Sequence, residues 1–260
     1  MMNIERLTVE TDGHVLAIGL NRAAKRNAFD LQMYSELSAA LGQLQDDANL
    51  RCGVLFAHGD HFTGGIELPQ WLPQFHEGHM PPLPDGGVDP IGFDPQRTLR
   101  KPLVMAVQGW CLTIGIELLL ATDIRIAAEN TRFAQIEIKR GIYPVCGATI
   151  RLVQELGWGN AMRILLTADE VSAQEALRIG LVQEVVAAGT QLPRALEIAH
   201  GIARQSPVGV RATLASARIA RRDGESAAIA RLMPDMQQAL QSEDAAEGLK
   251  AFLERREPHF

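Results

Sequence analysis

The stretch "VQGWCLTIGIELLLATDIRIA", from Val107 to Ala127, sets a short helical run between two extended ones. "PLVMAVQG" and "DIRIA" are rich in strand-forming residues, whereas "GIELLLAT" spaces its apolar residues as a helix does. Glu117 lies inside this apolar run. A glutamate is almost never fully buried unless another group pairs with it or a reaction uses it. The stretch therefore predicts strand, helix, strand and a functional candidate at Glu117.

The chain before this stretch continues the alternation. "IERLTVE" and "HVLAIGL" are short strand-like runs separated by "TDG", which predicts a hairpin. "DLQMYSELSAALGQLQDD" has leucines at helical spacing behind an Asp30 N-cap, and "CGVLFAHG" returns to a buried strand. The order strand, strand, helix, strand predicts an α/β fold built from ββα units.

From about Gly147 onward the pattern is helical, apart from the short run "LVQEVV". Helix starts are predicted at Ser172, with Glu175 as its capping-box partner, and at Ser206. The last helix, "SEDAAEGLKAFLERRE", has one apolar side formed by Leu249, Phe252 and Leu253. We therefore predict a catalytic core over residues 1–190 and a C-terminal helical region over residues 191–260.

The composition between Pro69 and Pro95 is dense in proline and glycine. Such a stretch is not expected to hold regular structure for long. Trp71, Phe75 and Phe93 give it apolar anchors, so a lid over a site and a mobile surface insertion are both open.

The overall composition excludes several classes of protein. With 260 residues, of which 47% are apolar and 22% charged, the chain can bury a sizeable core. A net charge of −6 argues against a nucleic-acid or acidic-membrane binder. Three widely spaced cysteines, no signal-peptide pattern in "MMNIERLTVETDG" and no apolar run near the roughly 18 residues of a membrane span predict a soluble cytoplasmic protein.

Two turns could carry chemistry. In "HFTGGIEL", Gly64 and Gly65 allow a sharp turn and close approach to a ligand, although an ordinary strand-ending turn is the simpler interpretation. The helix that begins near Gly115 has free amides at its positive end, which can stabilise an oxyanion. Glu117 lies one turn beyond Ile114, so it either faces the same pocket or is a solvated first-turn glutamate.

A second glutamate lies among apolar residues in "RFAQIEIKRGIYP". Strand alternation there would place Phe133, Gln135, Glu137 and Lys139 on one face. Two carboxylates beside an oxyanion site would suit acid–base chemistry next to a carbonyl. The histidines of "HGDHF" and "FHEGH" lack a zinc-site pattern, so no metal is expected, and no GxSxG motif indicates a serine hydrolase.

Taken in order, these segments resemble the crotonase (enoyl-CoA hydratase/isomerase) superfamily over essentially the whole chain. "LNRAAKRNAFD" is similar to LNRPxxxNAL, and "FTGGIEL" to [FC]-x-A-G-A-D-[IL]. "VQGWCLTIGIELLLATDIRIA" is similar to V-x-G-x-A-x-G-G-G-x-E-L-x-x-x-C-D. "FAQIEIKRGIYPVCGATIRL" and "SAQEALRIGLVQEVV" resemble F-x-x-P-E-x-x-x-G-x-x-P-x-x-G and A-x-E-A-x-x-x-G-L-V-x-x-V.

The resemblance implies an α/β fold with a ββα spiral core, a helical C-terminal region that forms trimers or hexamers, and acyl-CoA thioester substrates. It assigns the oxyanion hole to the backbone amides of Ile66 and Ile114, and the two catalytic glutamates to Glu117 and Glu137. It further implies contacts to CoA from five residues, namely Lys25, Arg26, Gly64, Phe252 and Arg255, the last two acting on a neighbouring subunit. No cofactor besides the CoA of the substrate is implied.

Because both glutamates are present, the expected reaction is hydration of an enoyl-CoA in fatty-acid or related acyl metabolism. The alternatives are an isomerase that uses Glu137 alone, another crotonase-type reaction (dehydratase, hydrolase or lyase), and a non-catalytic acyl-CoA-binding protein. The chain departs from the motifs at Thr113-Ile114-Gly115, at Gly64-Gly65-Ile66-Glu67 and at Ile136. Isoleucine side chains at the hole are expected either to narrow the acyl pocket or to change the direction of the amides.

Overall fold

A computed structural model describes residues 5–260 of the chain. The strands are β1 (Leu7–Asp12), β2 (Val15–Leu20), β3 (Cys52–Ala57), β4 (Leu103–Val107), β5 (Trp110–Leu112), β6 (Ile124–Ala128), β7 (Arg132–Ala134), β8 (Val171–Ser172) and β9 (Glu184–Val186). The helices are α1 (Leu31–Asp46), α2 (Leu68–His76), α3 (Ile114–Leu119), α4 (Ala148–Leu156), α5 (Trp158–Thr167), α6 (Ala173–Ile179), α7 (Gln191–Ala203), α8 (Pro207–Asp223), α9 (Glu225–Ala239) and α10 (Glu243–Glu254). Short 3₁₀ turns cover Ala23–Lys25 and Glu137–Arg140.

The strands form two sheets within residues 5–260. One has six strands in the order β1-β2-β3-β4-β6-β9, in which β1 is antiparallel to β2 and the other neighbours are parallel. The other has the order β5-β7-β8. In the large sheet Val54 pairs with Val104, and Val104 pairs with Ile124, so buried apolar residues line up across the strands. The sequence prediction of a mixed α/β fold is confirmed.

Several local predictions are also confirmed. β1 and β2 form the expected hairpin, although Ile4, the first residue of the predicted run, lies outside the described residues. The Asp30 carboxylate accepts a 2.8 Å hydrogen bond from the amide of Met33 and so caps α1. Ser172 and Ser206 cap α6 and α8 in the same way. No helix among residues 5–260 is long and apolar enough to cross a membrane.

The two faces of the large sheet pack differently. One face packs against α1 and the main apolar core, which includes Leu37 and Leu44. The other face is covered by α7, whose Ala195, Ala199 and Ala203 lie four residues apart and allow close approach. This helix belongs to the predicted C-terminal region, yet it packs on the sheet. The boundary at 190/191 stays a prediction.

The expectation that the proline-rich segment lacks regular structure is wrong for its first part. α2 begins at Leu68 and continues through Pro73. The reason is long-range packing: Trp71 is fully buried, its indole N–H donates to the carbonyl of Phe29 at 2.9 Å, and its ring meets Tyr34 edge-on at 5.1 Å. Within the described range, residues 77–102 contain no helix or strand, and the lid stays a prediction.

Candidate active site

Glu117 lies in the first turn of α3 and is only 2% exposed. One of its carboxylate oxygens, Oε1, accepts hydrogen bonds from the amides of Cys146 at 2.8 Å and Ala148 at 3.2 Å. These amides belong to the loop that enters α4, so a contact across 29 residues fixes the carboxylate. Glu117 is therefore a buried, positioned carboxylate and not a solvated one.

Burial raises the pKa of the Glu117 carboxyl to about 7, although the hydrogen bonds from Ala148 and Cys146 act in the opposite direction. The positive charge of Arg151 also opposes the rise. A carboxyl with a pKa near neutrality can exchange its proton at physiological pH, as acid–base catalysis requires.

Glu137 lies in the 3₁₀ turn Glu137–Arg140, where its Oε2 atom is buried and has no hydrogen-bond partner among residues 5–260. Burial raises the pKa of its carboxyl to about 7, with a further contribution from the nearby charge of Glu117, although a hydrogen bond from its own amide acts in the opposite direction. The structure thus brings both predicted glutamates into one electrostatic environment. Cys146 lies there as well, since burial and then the charges of both carboxylates raise the pKa of its thiol.

The predicted alternation around Glu137 is wrong beyond Ala134. β7 ends there, and Ile136 leaves the extended conformation with φ −104° and ψ 11°. The amide of Thr113 donates to the carbonyl of Ala134 at 3.0 Å, so the end of β7 is tied to the start of α3. The turn, and not strand alternation, places Glu137 beside Glu117.

The turn that carries Ile66 is held against the segment that carries Ile114. The amide of Thr63 donates to Trp110 O at 2.9 Å, and Leu112 donates back to Thr63 O at 3.1 Å. Gly65 has φ 110°, and an added Cβ there would lie 2.6 Å from Thr113 Oγ1, so glycine permits this approach.

The two amides predicted to form the oxyanion hole are both unpaired. Within residues 5–260, neither the N–H of Ile66 nor that of Ile114 donates a hydrogen bond. Two neighbouring amides do donate, that of Glu67 to Phe29 O at 2.9 Å and that of Thr113 to Ala134 O. Two free donors on adjoining segments are what stabilisation of a developing oxyanion needs.

Two polar residues at the site were not singled out from the sequence. Thr113 has φ 49° and ψ −113°, and its Oγ1 is buried with no partner in the described chain. Gln135 is 1% exposed, and neither its Nε2 nor its Oε1 has a partner there. In the sequence, Gln135 stands out only as a neighbour of Glu137 on the predicted strand face. Its position two residues before a catalytic candidate is the signal that could have identified it.

The predicted CoA contacts divide into two groups. Arg26 has a left-handed backbone, its carbonyl accepts the amide of Gly64 at 2.8 Å, and its guanidinium lies 4.9 Å above the ring of Trp110. Lys25 is exposed beside it. Arg26 and Gly64 thus adjoin the predicted oxyanion turn.

Phe252 and Arg255 form the second group. They lie at the end of α10, and Phe252 is 78% exposed. No hydrogen bond, ion pair or ring contact among residues 5–260 links either of them to Arg26, Glu117 or Glu137.

Asn27 explains why the N-terminal motif adjoins the site. Its side-chain amide donates to the carbonyls of His58 at 2.9 Å and His61 at 2.8 Å, and its Oδ1 accepts the amide of Arg22. Arg22 also pairs with Glu67 at 2.7 Å. This buried network joins the segment of Arg26 to the turn that carries Ile66.

His61 has a structural role beside Trp110. His61 Nδ1 accepts the amide of Trp110 at 3.1 Å, and the two rings stack at 4.7 Å. The described residues contain no group of three side chains suited to a metal ion. Cys52, Cys111 and Cys146 are free and buried.

Comparison with known proteins identifies the family of the chain. The sequence model of the enoyl-CoA hydratase/isomerase family matches residues 10–260. Enoyl-CoA hydratase EchA19 of Mycobacterium tuberculosis is 35% identical, over 97% of this chain and 95% of that protein. 2,3-Dehydroadipyl-CoA hydratase of Escherichia coli is 30% identical, over 99% of both chains.

The solved structures include a probable enoyl-CoA hydratase/isomerase from Mycobacterium abscessus, which is 50% identical, covers 99% of both chains and has a TM-score of 0.96. Enoyl-CoA hydratase from Mycobacterium tuberculosis H37Rv is 32% identical, covers 98% of both chains and has a TM-score of 0.87. The family match and the shared fold show that the chain belongs to the enoyl-CoA hydratase/isomerase family of the crotonase superfamily.

Proposed function

We propose that this protein is an enoyl-CoA hydratase that adds water across the 2,3 double bond of an enoyl-CoA thioester. The observation that carries the proposal is the pair formed by buried Glu117 and half-buried Glu137, two carboxyls whose pKa values burial raises to about 7. An addition of water needs one group to take a proton from water and one to deliver a proton to carbon. Relatives named as hydratases, including that of Escherichia coli, support the assignment.

The oxyanion hole supplies the first part of the mechanism. The thioester oxygen of the substrate accepts the amides of Ile66 and Ile114, which donate to nothing else among residues 5–260. Negative charge that moves onto this oxygen as the enolate forms is then stabilised. Each such donor lowers the barrier by about 3 kcal/mol.

The hydrogen bonds of the two glutamates indicate which one acts as base and which as acid. The amides of Cys146 and Ala148 donate to Glu117, which favours its charged form and suits a base that takes the proton from water. Glu137 Oε2 is buried without a donor and lies near a like charge, which favours its protonated form. Glu137 therefore delivers the proton to Cα while the oxygen of water bonds to Cβ.

Mass measurement on a panel of short, medium and aromatic enoyl-CoAs tests the reaction. Hydration predicts products heavier by one water. Migration of the double bond leaves the mass unchanged, so a product of equal mass that chromatography separates from the substrate would instead indicate the isomerase that uses Glu137. Release of free CoA would indicate a hydrolase. Binding of all CoA esters without conversion would support a non-catalytic binding protein.

We further propose that the enzyme is a homotrimer or hexamer in which Phe252 and Arg255 complete a neighbour's CoA site. What supports this is the apolar surface of α9 and α10, whose side chains face solvent within the described chain: Leu232, Met233, Met236, Leu249, Phe252 and Leu253. Exposed apolar patches of this kind mark protein–protein interfaces. Light scattering after size-exclusion chromatography measures the oligomeric state.

We also propose that the reaction needs no cofactor, because two carboxyls and two amides supply the proton transfers and the charge stabilisation. Full activity after exhaustive treatment with a chelator supports this, and loss of activity that added metal restores would contradict it. A cytoplasmic enzyme of acyl-chain catabolism fits this chemistry, and cell fractionation tests the location.

A further inference from the structure

Thr113 adopts a backbone conformation that suits glycine. Its φ of 49° with ψ of −113° lies where residues with side chains are rarely found, and β-branched residues are especially strained there. Its carbonyl accepts the amides of Ile116 and Glu117, so the residue is fixed at the start of α3. A glycine would take this position without strain.

The hydroxyl of Thr113 is a second feature that lowers the stability of the fold. Oγ1 is buried, and no group among residues 5–260 forms a hydrogen bond with it. A buried hydroxyl without a partner destabilises the fold, because it loses its bonds to water and gains none. One residue thus combines a strained backbone with an unsatisfied polar group, a combination that points to a use outside folding.

The Thr113 side chain packs against the turn that carries the free amide of Ile66. Thr113 directly precedes Ile114, and Gly65 directly precedes Ile66. A Cβ built on Gly65 would lie 2.6 Å from Thr113 Oγ1 and 3.7 Å from its Cγ2, so the threonine side chain packs on the glycine. A third polar hydrogen therefore lies where the two donor segments meet.

We propose that the Thr113 hydroxyl donates a third hydrogen bond to the thioester oxygen of the substrate. This inference rests on the proposed function, since it names a further contact in the same oxyanion hole. Thr113 is half-buried, so rotation about its Cα–Cβ bond moves the hydroxyl from the Gly65 side towards the open side of the residue. The bond satisfies the orphan hydroxyl and gives the strained residue a function.

Binding without turnover tests the contact. The ligands are a saturated acyl-CoA thioester and the matching S-alkyl-CoA thioether, which lacks the carbonyl oxygen. Calorimetry measures both affinities for the wild type and for Thr113→Val, Thr113→Ser and Thr113→Gly. We expect the preference for thioester to fall about tenfold in the valine and glycine variants and to persist in the serine variant. An equal preference in wild type, Thr113→Val and Thr113→Gly would overturn the proposal.

Two further measurements separate this role from a structural one. Thr113→Gly removes the strain and the orphan hydroxyl, so it should melt several degrees above the wild type while losing the thioester preference. Thr122→Val is the matched control, because Thr122 Oγ1 is buried but donates to Leu119 O at 2.7 Å. It should lower the melting temperature and leave the preference unchanged. A comparable loss of preference in this control would overturn the proposal.

These measurements also distinguish the hydratase proposal from the proposed contact of Thr113. A wild type that hydrates enoyl-CoAs while Thr113→Val keeps its full thioester preference contradicts the role of Thr113 alone. A wild type that hydrates none of them while Thr113→Val loses the preference contradicts the hydratase assignment and supports the contact.

Discussion

Oε1 of Glu117 accepts the amide of Cys146 at 2.8 Å, which ties the first turn of α3 to the entrance of α4. The same oxygen accepts the amide of Ala148. A glutamine at this position keeps a carbonyl oxygen that can accept both bonds but cannot take a proton. The geometry and the chemistry of Glu117 can therefore be separated by one substitution.

Glu117→Gln should reduce hydration about a thousandfold, because it removes proton transfer while preserving the contacts to Cys146 and Ala148. Steady-state kinetics on an enoyl-CoA measures the loss. Glu10→Gln, at an exposed position of β1, is the control and should keep wild-type activity. Wild-type hydration by Glu117→Gln would contradict its assignment as base.

The double variant Glu117→Gln/Glu137→Gln should be no more than a few fold slower than the slower single variant. Two groups that act on one water lose most of their joint effect when either is removed. Single-turnover rates for the wild type, both single variants and the double variant give the coupling. If the reduction in rate of the double variant equals the product of the reductions of the two single variants, the two glutamates act independently.

Folding stability should depend on the charge of Glu137. Burial raises the pKa of its carboxyl from 4.5 to about 7, so the folded state binds this proton more tightly than the unfolded state. The resulting stabilisation is fully present below about pH 4.5 and is lost as the pH rises through about 7.

Urea unfolding at about pH 5 and about pH 8 checks this sign. Between these values the wild type should lose on the order of 2 kcal/mol more stability than Glu137→Gln, which carries no such proton. Equal losses in the two proteins would contradict the raised pKa.

Arg26→Gln should raise KM about tenfold and leave kcat nearly unchanged, because the guanidinium above Trp110 is proposed to bind CoA and takes no part in proton transfer. The effect should weaken at high salt, since a charge–phosphate contact is screened. Arg204→Gln, at an exposed position after α7, is the control. A fall in kcat with unchanged KM would assign Arg26 to positioning of the oxyanion turn instead.

Leu253→Asp should dissociate the assembly and raise KM in the same variant, because it places a charge on the apolar side of α10 next to Phe252. Lys250→Gln changes the charge of the same helix outside this apolar side and should keep the assembly. Light scattering and kinetics on the same samples measure both effects. A monomeric wild type would contradict the proposed trimer.

Local sequence signals predicted a large part of the fold. Leucine spacing behind Asp30 gave α1, and the turn between two alternating runs gave the hairpin β1–β2. α2 was missed because prolines disfavour helices locally, whereas the burial of Trp71 against Tyr34 and the bond to Phe29 O are contacts between distant segments.

In the candidate site too, local sequence predicted some features, and others depend on contacts between distant segments. The sequence singled out Glu117 and Glu137 as candidates, but the alternation of "RFAQIEIK" continues in the letters after β7 has ended at Ala134. No local sequence pattern predicts the hydrogen bond from the Thr113 amide to Ala134 O or the turn of the chain at Ile136. The orphan atoms of Thr113 and Gln135 could not be predicted either, since hydrogen-bond satisfaction depends on the folded surroundings.

The most direct test of hydration by the two glutamates is incubation of the wild-type protein with enoyl-CoA in water enriched in heavy oxygen. We expect a 3-hydroxyacyl-CoA that carries one heavy oxygen at Cβ, and loss of this product in both Glu117→Gln and Glu137→Gln. A product that carries no heavy oxygen, or equal labelling by Glu117→Gln and the wild type, would contradict hydration by the two glutamates.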